Sequence, residues 1–162
     1  MSLAVFEKLI ALFDAGQARY LVLTHVPVRT SEEAARVRGT ALGQGARAMV
    51  CRVKLTSTQR RYVLAVLPAD RQLDFTKVAA AVNGKKASLA TPEEAQALTD
   101  CEMGAVPPVS FHSELLLIVD PGIASRYDEI SFNAGLRERS VVMATKDYLR
   151  IVAPRMETMA SE

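Results

Sequence analysis

The segment 46–68, ARAMVCRVKLTSTQRRYVLAVLP, decides the fold class, because it contains two strand-like stretches on either side of a polar turn. Successive side chains of a strand point to opposite faces. In the first stretch, one face carries Arg47, Met49, Cys51 and Val53. The second stretch is apolar and β-branched, and the short turn predicts that it returns beside the first. The segment therefore predicts a β-hairpin.

The remainder of the chain alternates short strands with short helices. Periodicity and capping residues predict further strands at 19–28, 114–120, 128–135 and 140–144, and helices at 5–16, 30–39, 73–84, 91–100 and 145–152. These strands follow one another too closely for repeated βαβ units, whose crossovers need a dozen or more residues. We expect an α+β fold, with one curled, mixed and mostly antiparallel sheet surrounded by short helices, in a single domain over residues 1–162.

Composition restricts the class of protein. The 162 residues are 49% hydrophobic and 23% charged, with a net charge of +2, which is typical of a globular protein. No apolar run approaches the roughly 20 residues that span a bilayer, and the first residues resemble no secretory leader. We therefore expect a cytoplasmic protein without a membrane partner. Cys51 and Cys101 form no metal-binding or disulfide pattern, so both are predicted to be buried packing residues.

The familiar catalytic motifs are missing from the sequence. It contains no nucleophile elbow, phosphate-binding glycine loop or metal-ligand spacing, and its two histidines, His25 and His112, lie far apart. The loop 101–112, CEMGAVPPVSFH, is the more informative feature. Proline stiffens a loop, and glycine leaves main-chain amides uncovered, so such a loop can hold a carbonyl oxygen or an oxyanion. A rigid turn without a binding role is the alternative interpretation.

Three separated motifs carry a resemblance to a known family. They are TSEEAARVRGTALGQGARAMVCRVK at 30–54, GAVPP at 104–108 and YDEISFNAG at 127–135. In this order they resemble the YbaK-like aminoacyl-tRNA deacylases, freestanding relatives of the prolyl-tRNA synthetase editing domain, over about residues 20–153. The resemblance implies hydrolysis of the ester that joins a mischarged amino acid to the terminal adenosine of tRNA. The amino acid is expected to be small, such as serine, alanine or threonine.

The resemblance also implies roles for individual residues. Gly104 and Arg47 are the expected catalytic residues, without a metal or other cofactor. Main-chain amides near Gly104 are expected to hold the aminoacyl carbonyl, and the family's attacking water is oriented partly by the ribose hydroxyl of the tRNA. The expected substrate-binding residues are His25, Ala105, Val106, Pro108, Asn133, Ala134 and Gly135. Asn133 is expected to meet the substrate's ammonium group or a side-chain hydroxyl.

Arg47 departs from the family pattern, which typically has a lysine at this position. Arginine keeps the positive charge and can bind a phosphate with two N–H groups, but it cannot act as a neutral amine. Anchoring of the terminal nucleotide is therefore compatible with Arg47. A binding module that has lost catalysis remains the alternative function. Lys54 lies on the opposite face of the same strand and is a poor substitute.

The partner implied by the resemblance is the acceptor end of an aminoacyl-tRNA, with an aminoacyl-tRNA synthetase left open as a second partner. Arg29, Arg52, Lys85 and Lys86 are the expected tRNA-binding residues. They belong to a wider set of basic candidates that also includes Arg36, Arg38, Lys54, Arg60 and Arg61. A small-molecule esterase or an amino-acid-binding domain is a third possibility, which a requirement for the tRNA body would exclude.

Overall fold

The computed structural model describes residues 2–161, in which short helices and strands alternate along the chain. The α-helices are α1 (Ser2–Ala15), α2 (Ser31–Arg38), α3 (Phe75–Ala81), α4 (Pro92–Thr99), α5 (Gly122–Ser125) and α6 (Thr145–Val152). The strands are β1 (Tyr20–Thr24), β2 (Ala46–Lys54), β3 (Arg60–Pro68), β4 (Lys86–Leu89), β5 (Leu115–Val119), β6 (Glu129–Asn133), β7 (Arg139–Ala144) and β8 (Arg155–Met156). No helix of this described range is long and apolar enough to cross a membrane.

The predicted hairpin is confirmed. β2 and β3 pair antiparallel along their whole length, from Ala46 opposite Pro68 to Lys54 opposite Arg60. The hairpin is the centre of a five-stranded sheet in the order β4-β2-β3-β5-β8, in which β5 runs parallel to β3 and to β8. Residues between β3 and β5 form α3, β4 and α4, which supply the crossover that a parallel pair requires.

The remaining strands form a separate antiparallel sheet in the order β1-β7-β6. The α+β class and the mixed, mostly antiparallel pairing are confirmed. The strands nevertheless divide between two sheets, which an isolated bridge between Gly45 and Ser131 connects. Gly45 lies just before β2 and Ser131 lies within β6, so the bridge brings the start of the hairpin close to residues 132–135 (FNAG).

The hairpin is buried on both faces, which makes it a rigid support. Val50 and Leu64 belong to the core that also contains Phe13 of α1 and Phe132 of β6. The other face contributes to a second core, made of Cys51, Val53, Val63, Ala65, Val78, Ala79, Ala87, Ile118 and Met159. Both cysteines are buried, as predicted. Burial raises the pKa of the Cys51 thiol to about 12 and that of the Cys101 thiol to about 11, so both stay protonated at neutral pH.

Helix α2 has the predicted caps at both ends. The Thr30 hydroxyl accepts a hydrogen bond from the backbone N–H of Glu33, and the Glu33 carboxylate accepts one from the Thr30 backbone N–H. The helix ends at Gly39, whose φ of +69° is the left-handed conformation that glycine adopts without strain. These caps fix the last turn of α2 and therefore the direction in which the Arg38 side chain leaves the helix.

Candidate functional site

A cavity of about 220 Å³ lies between α2, the start of β2 and the loop after α4. Its lining includes five of the residues predicted from the sequence: Arg29, Arg47, Gly104, Val106 and Asn133. The other lining residues are Val28, Thr30, Ser31, Ala34, Ala35, Arg38, Ala41, Leu42, Gly45, Ala46, Ala48, Met49, Ala69, Met103 and Phe132. The described lining contains three arginines and no carboxylate, so the cavity favours an electron-rich ligand.

The loop 102–106 is held from behind through its carbonyl groups. The Arg137 guanidinium donates to the Met103 carbonyl oxygen at 3.1 and 3.3 Å and forms an ion pair with Glu102 at 3.3 Å. The Gly135 backbone N–H donates to the Ala105 carbonyl oxygen at 2.9 Å. Gly135 has a φ of +88°, so a residue with a side chain would be strained at this position. Two peptide planes of the loop are therefore fixed.

These anchors determine where the loop amides point. In a trans peptide, the carbonyl and the next N–H point in opposite directions, and the described chain contains no cis peptide bond. With the carbonyls of Met103 and Ala105 tied behind the loop, the N–H groups of Gly104 and Val106 face the other way. Both residues line the cavity, and neither amide donates to an acceptor within residues 2–161. The Ala105 amide, in contrast, donates to the Glu102 carbonyl oxygen at 3.0 Å.

The end of the loop is anchored in the core. The Tyr148 hydroxyl donates to the Pro108 carbonyl oxygen at 2.5 Å, and the Tyr148 side chain is fully buried. Burial raises the pKa of this phenol, so it stays a hydrogen-bond donor at any physiological pH. Pro108 thus supports the loop without lining the cavity.

We predict that Tyr148→Phe lowers the free energy of unfolding by about 1–3 kcal/mol, because it leaves the Pro108 carbonyl buried without a donor. Urea unfolding would measure the change. Tyr20→Phe is the matched control, since its hydroxyl donates to Asp14 at an exposed position and its loss is expected to cost less than about 1 kcal/mol. Equal losses in the two variants would contradict this role for Tyr148.

Arg47 reaches the cavity from the second residue of β2. Its Nε atom is buried and has no hydrogen-bond partner among residues 2–161. A buried donor without a partner costs about 1–3 kcal/mol. This cost is offset if a ligand in the cavity supplies an acceptor, as a phosphate or a ribose oxygen does.

Asn133 lies on the opposite wall within a network centred on Arg38. The Arg38 guanidinium donates to the Asn133 Oδ1 atom at 2.8 Å, to the Ser140 hydroxyl at 2.8 Å and to the Ser131 hydroxyl at 3.3 Å. Burial lowers the pKa of Arg38 to about 10, so the side chain stays charged at neutral pH. From the sequence, Arg38 is expected only as one of the wider set of basic candidates for tRNA binding, and it lies instead in the cavity wall. A position in the last turn of a helix gives no sign that the side chain points inward.

Four other predicted substrate residues lie outside the cavity lining: His25, Ala105, Ala134 and Gly135. His25 does not line the cavity; its Nε2 atom lies 2.8 Å from the Ser140 hydroxyl, which connects it to Arg38. Ala134 is fully buried, and its backbone N–H donates to the Arg139 carbonyl oxygen. Ala105 is also buried, beside Val5 of α1. Arg137, Tyr148, Ser131 and Ser140 were not predicted, because their contacts join parts of the chain distant in sequence.

The predicted tRNA-binding residues fall in two places. Arg29 lies at the cavity, with its carbonyl oxygen 4.0 Å from the position that a Cβ on Gly104 would occupy. Arg52 and Lys86 line a second groove at the far end of β2, and Lys85 immediately precedes Lys86. The other residues lining that groove are Lys54, Thr56, Ser57, Thr58, Gln59, Arg60 and Ser88.

Three cations form a row across this second groove, which we call the basic row: Arg60, Lys54 and Lys86. Lys54 lies directly opposite Arg60 on β3 and directly opposite Lys86 on β4. Like charges in such cross-strand positions destabilise a sheet. Glu94 lies 3.7 Å from Arg60, but Lys54 and Lys86 form no ion pair within the described range. The row therefore carries an electrostatic cost that an anion can relieve.

Comparison with known proteins gives a consistent result. The chain matches the family model described as the aminoacyl-tRNA editing domain over residues 25–151. The multifunctional Ser/Thr-tRNA deacylase ProXp-y of Escherichia coli (strain K12) is 47% identical over 150 residues, which are 93% of this chain and 89% of that protein. The proline–tRNA ligase of Geobacillus thermodenitrificans (strain NG80-2) is 30% identical over 71 residues, 44% of this chain and 12% of the ligase.

Solved structures share the fold at lower identity. The crystal structure of hypothetical protein APE2540 is 20% identical and superposes with a TM-score of 0.82, covering 95% of this chain and 99% of that one. A protein described as a candidate trans-editing enzyme for prolyl-tRNA synthetase is 22% identical, with a TM-score of 0.77 and 98% of each chain covered. At this identity the two structures establish the fold alone.

Proposed function

The chain belongs to the aminoacyl-tRNA editing domain family, and we propose that it is a trans-editing hydrolase that removes small amino acids from mischarged tRNA. The relative that is 47% identical is named as a Ser/Thr-tRNA deacylase, so serine and threonine are the first amino acids to test, followed by alanine. The observation that carries this proposal is that Gly104 and Val106 line a cavity of about 220 Å³ and that neither backbone amide donates to an acceptor within residues 2–161.

We propose the following reaction. A water molecule attacks the acyl carbon, and the carbonyl oxygen gains negative charge, which the N–H groups of Gly104 and Val106 stabilise. The bond from the acyl carbon to the ribose oxygen then breaks, and that oxygen takes up a proton. The products are the free amino acid and tRNA with its terminal hydroxyl restored. One well-placed amide donor contributes about 2.7–4 kcal/mol to such a transition state.

Ester hydrolysis of this kind needs no side-chain nucleophile. The substrate's own ribose hydroxyl is proposed to orient the water, in keeping with the family resemblance. Arg47 is proposed to bind the phosphate or ribose of the terminal adenosine, and its unpartnered Nε atom supports this assignment. The protein's contribution is then to position the ester and to stabilise charge.

Deacylation of a panel of mischarged tRNAs tests this function. We expect the purified protein to release serine or threonine from tRNA in single-turnover assays, at rates well above the spontaneous rate. The arginine at position 47 favours a second candidate, a binding module that has kept the fold and lost catalysis. That candidate predicts tRNA binding without release of any amino acid, an outcome that would overturn the hydrolase proposal.

The body of the tRNA is proposed to bind the basic row at the far end of β2. Arg47 and Lys54 are seven residues apart on this strand, which is about 23 Å at ~3.3 Å per residue. Their side chains lie on opposite faces of the strand, so the path of the tRNA between the cavity and the row is longer than this distance. Similarity to part of a proline–tRNA ligase supports a synthetase as a further proposed partner, with the cytoplasm as the proposed compartment.

We predict opposite effects of Lys54→Thr on stability and on tRNA binding. Removing the middle cation relieves two like-charge contacts, so the free energy of unfolding is expected to rise by a few tenths of a kcal/mol. The KM for mischarged tRNA is expected to increase, and the slope of log KM against log salt to fall by about one. Urea unfolding and kinetics at several salt concentrations would measure both effects.

Lys146→Ala is the control for this prediction, because Lys146 is an exposed cation on α6, outside the basic row. It is expected to change neither the KM nor the salt slope. If Lys54→Thr leaves the salt slope unchanged as well, the basic row does not bind the tRNA body.

A further inference from the structure

The Asn133 amide group has a defined orientation because of the residue that holds it. Arginine has five N–H donors and no acceptor. The Asn133 side-chain atom 2.8 Å from the Arg38 Nη2 atom must therefore be the oxygen, Oδ1. The amide nitrogen, Nδ2, then lies on the other side of the group and donates one hydrogen to the Leu136 carbonyl oxygen at 3.4 Å. Its second N–H donates to no acceptor within residues 2–161, and Asn133 lines the cavity.

Arg38 itself adds donors to the same wall. Three of its five N–H groups are used, on the Ser140 hydroxyl, the Ser131 hydroxyl and Asn133. The remaining two are not matched by an acceptor within residues 2–161, and Arg38 also lines the cavity. The wall formed by Arg38 and Asn133 therefore presents donors and no acceptor.

His25 and Ser140 fix the direction of the hydrogen bonds in this network. The His25 Nδ1 atom lies 2.7 Å from the Val26 carbonyl oxygen, which only accepts, so Nδ1 carries the proton. In the neutral ring Nε2 is then an acceptor, and the Ser140 hydroxyl can donate to it while accepting from Arg38 Nε. The hydrogen bonds from Arg38 through Ser140 to His25 thus run in one direction. Reversal of the Asn133 amide would place its NH2 group against the Arg38 guanidinium, so that two donors would face each other.

We propose that Arg38 fixes Asn133 as a hydrogen-bond donor, and that this wall recognises the side-chain oxygen of a seryl or threonyl group. This inference rests on the proposed deacylase function and names the specificity determinant of that site. A hydroxyl oxygen accepts from Asn133 Nδ2 or from Arg38. An alanyl group leaves these partly buried donors without a partner, and the α-ammonium group is repelled by Arg38 and must lie elsewhere in the cavity.

The test compares three substrates in single-turnover deacylation: tRNA carrying serine, alanine or 2,3-diaminopropionate, in which an ammonium group replaces the serine hydroxyl. An ammonium only donates, so the wild type is expected to prefer serine to diaminopropionate by more than tenfold. Asn133→Ala is expected to lower kcat/KM for the seryl substrate at least tenfold and for the alanyl substrate less than threefold. The measured quantity is the ratio of kcat/KM for the seryl substrate to kcat/KM for the alanyl substrate.

Asn133→Asp keeps the bond to Arg38 and the size of the side chain, so it tests the idea even if Asn133→Ala does not fold. It replaces the NH2 donor with an acceptor oxygen and is expected to raise kcat/KM for the diaminopropionyl substrate, relative to that for the seryl substrate, at least tenfold.

Arg38→Gln removes the group that positions Asn133. It is expected to lower the ratio of kcat/KM for the seryl substrate to kcat/KM for the alanyl substrate, while hydrolysis of the alanyl substrate persists. A structural role alone would slow all three substrates equally.

The possible outcomes separate this inference from the function on which it rests. If the wild type releases none of the three amino acids and does not release threonine either, the proposed hydrolase function fails. If the wild type is active but Asn133→Ala and Asn133→Asp leave the substrate ratios unchanged, the donor wall does not recognise the substrate side chain, and the inference is overturned while the hydrolase function stands.

Discussion

Gly104→Val is expected to reduce kcat/KM for mischarged tRNA by at least about a hundredfold, with little change in tRNA binding. Gly104 has a φ of +87°, which a β-branched residue adopts only with strain. Relaxation of that strain rotates the peptide planes on both sides, and one of them carries the Gly104 N–H. Loss of a single oxyanion donor lowers kcat by roughly 10²–10³. Single-turnover deacylation, with tRNA binding measured separately, checks the prediction.

Gly39→Val is the matched control for Gly104→Val. Gly39 has a φ of +69°, and a Cβ there would meet no atom within 4 Å, so valine imposes backbone strain without blocking space. The two variants are compared on the alanyl substrate, whose hydrolysis does not depend on the position of Arg38. We expect both variants to lose stability and only Gly104→Val to lose the chemical step. If both variants lose activity in proportion to their stability, strain alone is responsible, and the amides of the loop are not the oxyanion site.

Arg47→Met is expected to lower kcat/KM by about 10- to 100-fold, mainly through weaker binding of the terminal nucleotide. A hydrogen bond to a charged group contributes about 1.5–3 kcal/mol, and methionine keeps much of the apolar volume while removing every donor. Kinetics on tRNA and on a short aminoacylated acceptor-end fragment would show the same loss, because Arg47 is at the cavity rather than at the basic row.

Arg47→Lys shows whether Arg47 anchors the substrate or instead weakens catalysis. Lysine keeps the charge but loses the paired N–H groups of arginine. If Arg47 anchors the substrate, the lysine variant retains more activity than the methionine variant without exceeding the wild type. A large gain in rate for the lysine variant would instead mean that arginine at this position weakens catalysis, as the binding-module alternative predicts.

Local patterns in the sequence predicted the strands, turns and helix ends that depend on residues close together in the chain. The alternation along β2 predicted a strand, the polar turn predicted its hairpin, and Thr30 and Gly39 marked the two ends of α2. The division of the strands between two sheets was not predicted. It depends on the pairing of β1 with β7, which joins residues about 120 positions apart and leaves no local signal.

The candidate site was predicted in part, for the same reason. Gly104, Val106, Arg47 and Asn133 line one cavity, and the sequence placed them together through motifs. The groups that orient them were not found. Arg137 holds the Met103 carbonyl from 34 positions away, and Arg38 holds Asn133 from 95 positions away. A charged side chain on a short helix or turn has the same local sequence whether it points outward or inward.

The most direct test of the account is a crystal structure with a non-hydrolysable amide analogue of seryl-adenosine bound in the cavity. The account predicts that the acyl oxygen lies about 2.7–3.1 Å from the backbone nitrogens of Gly104 and Val106. An acyl oxygen that points away from residues 104–106 would contradict it.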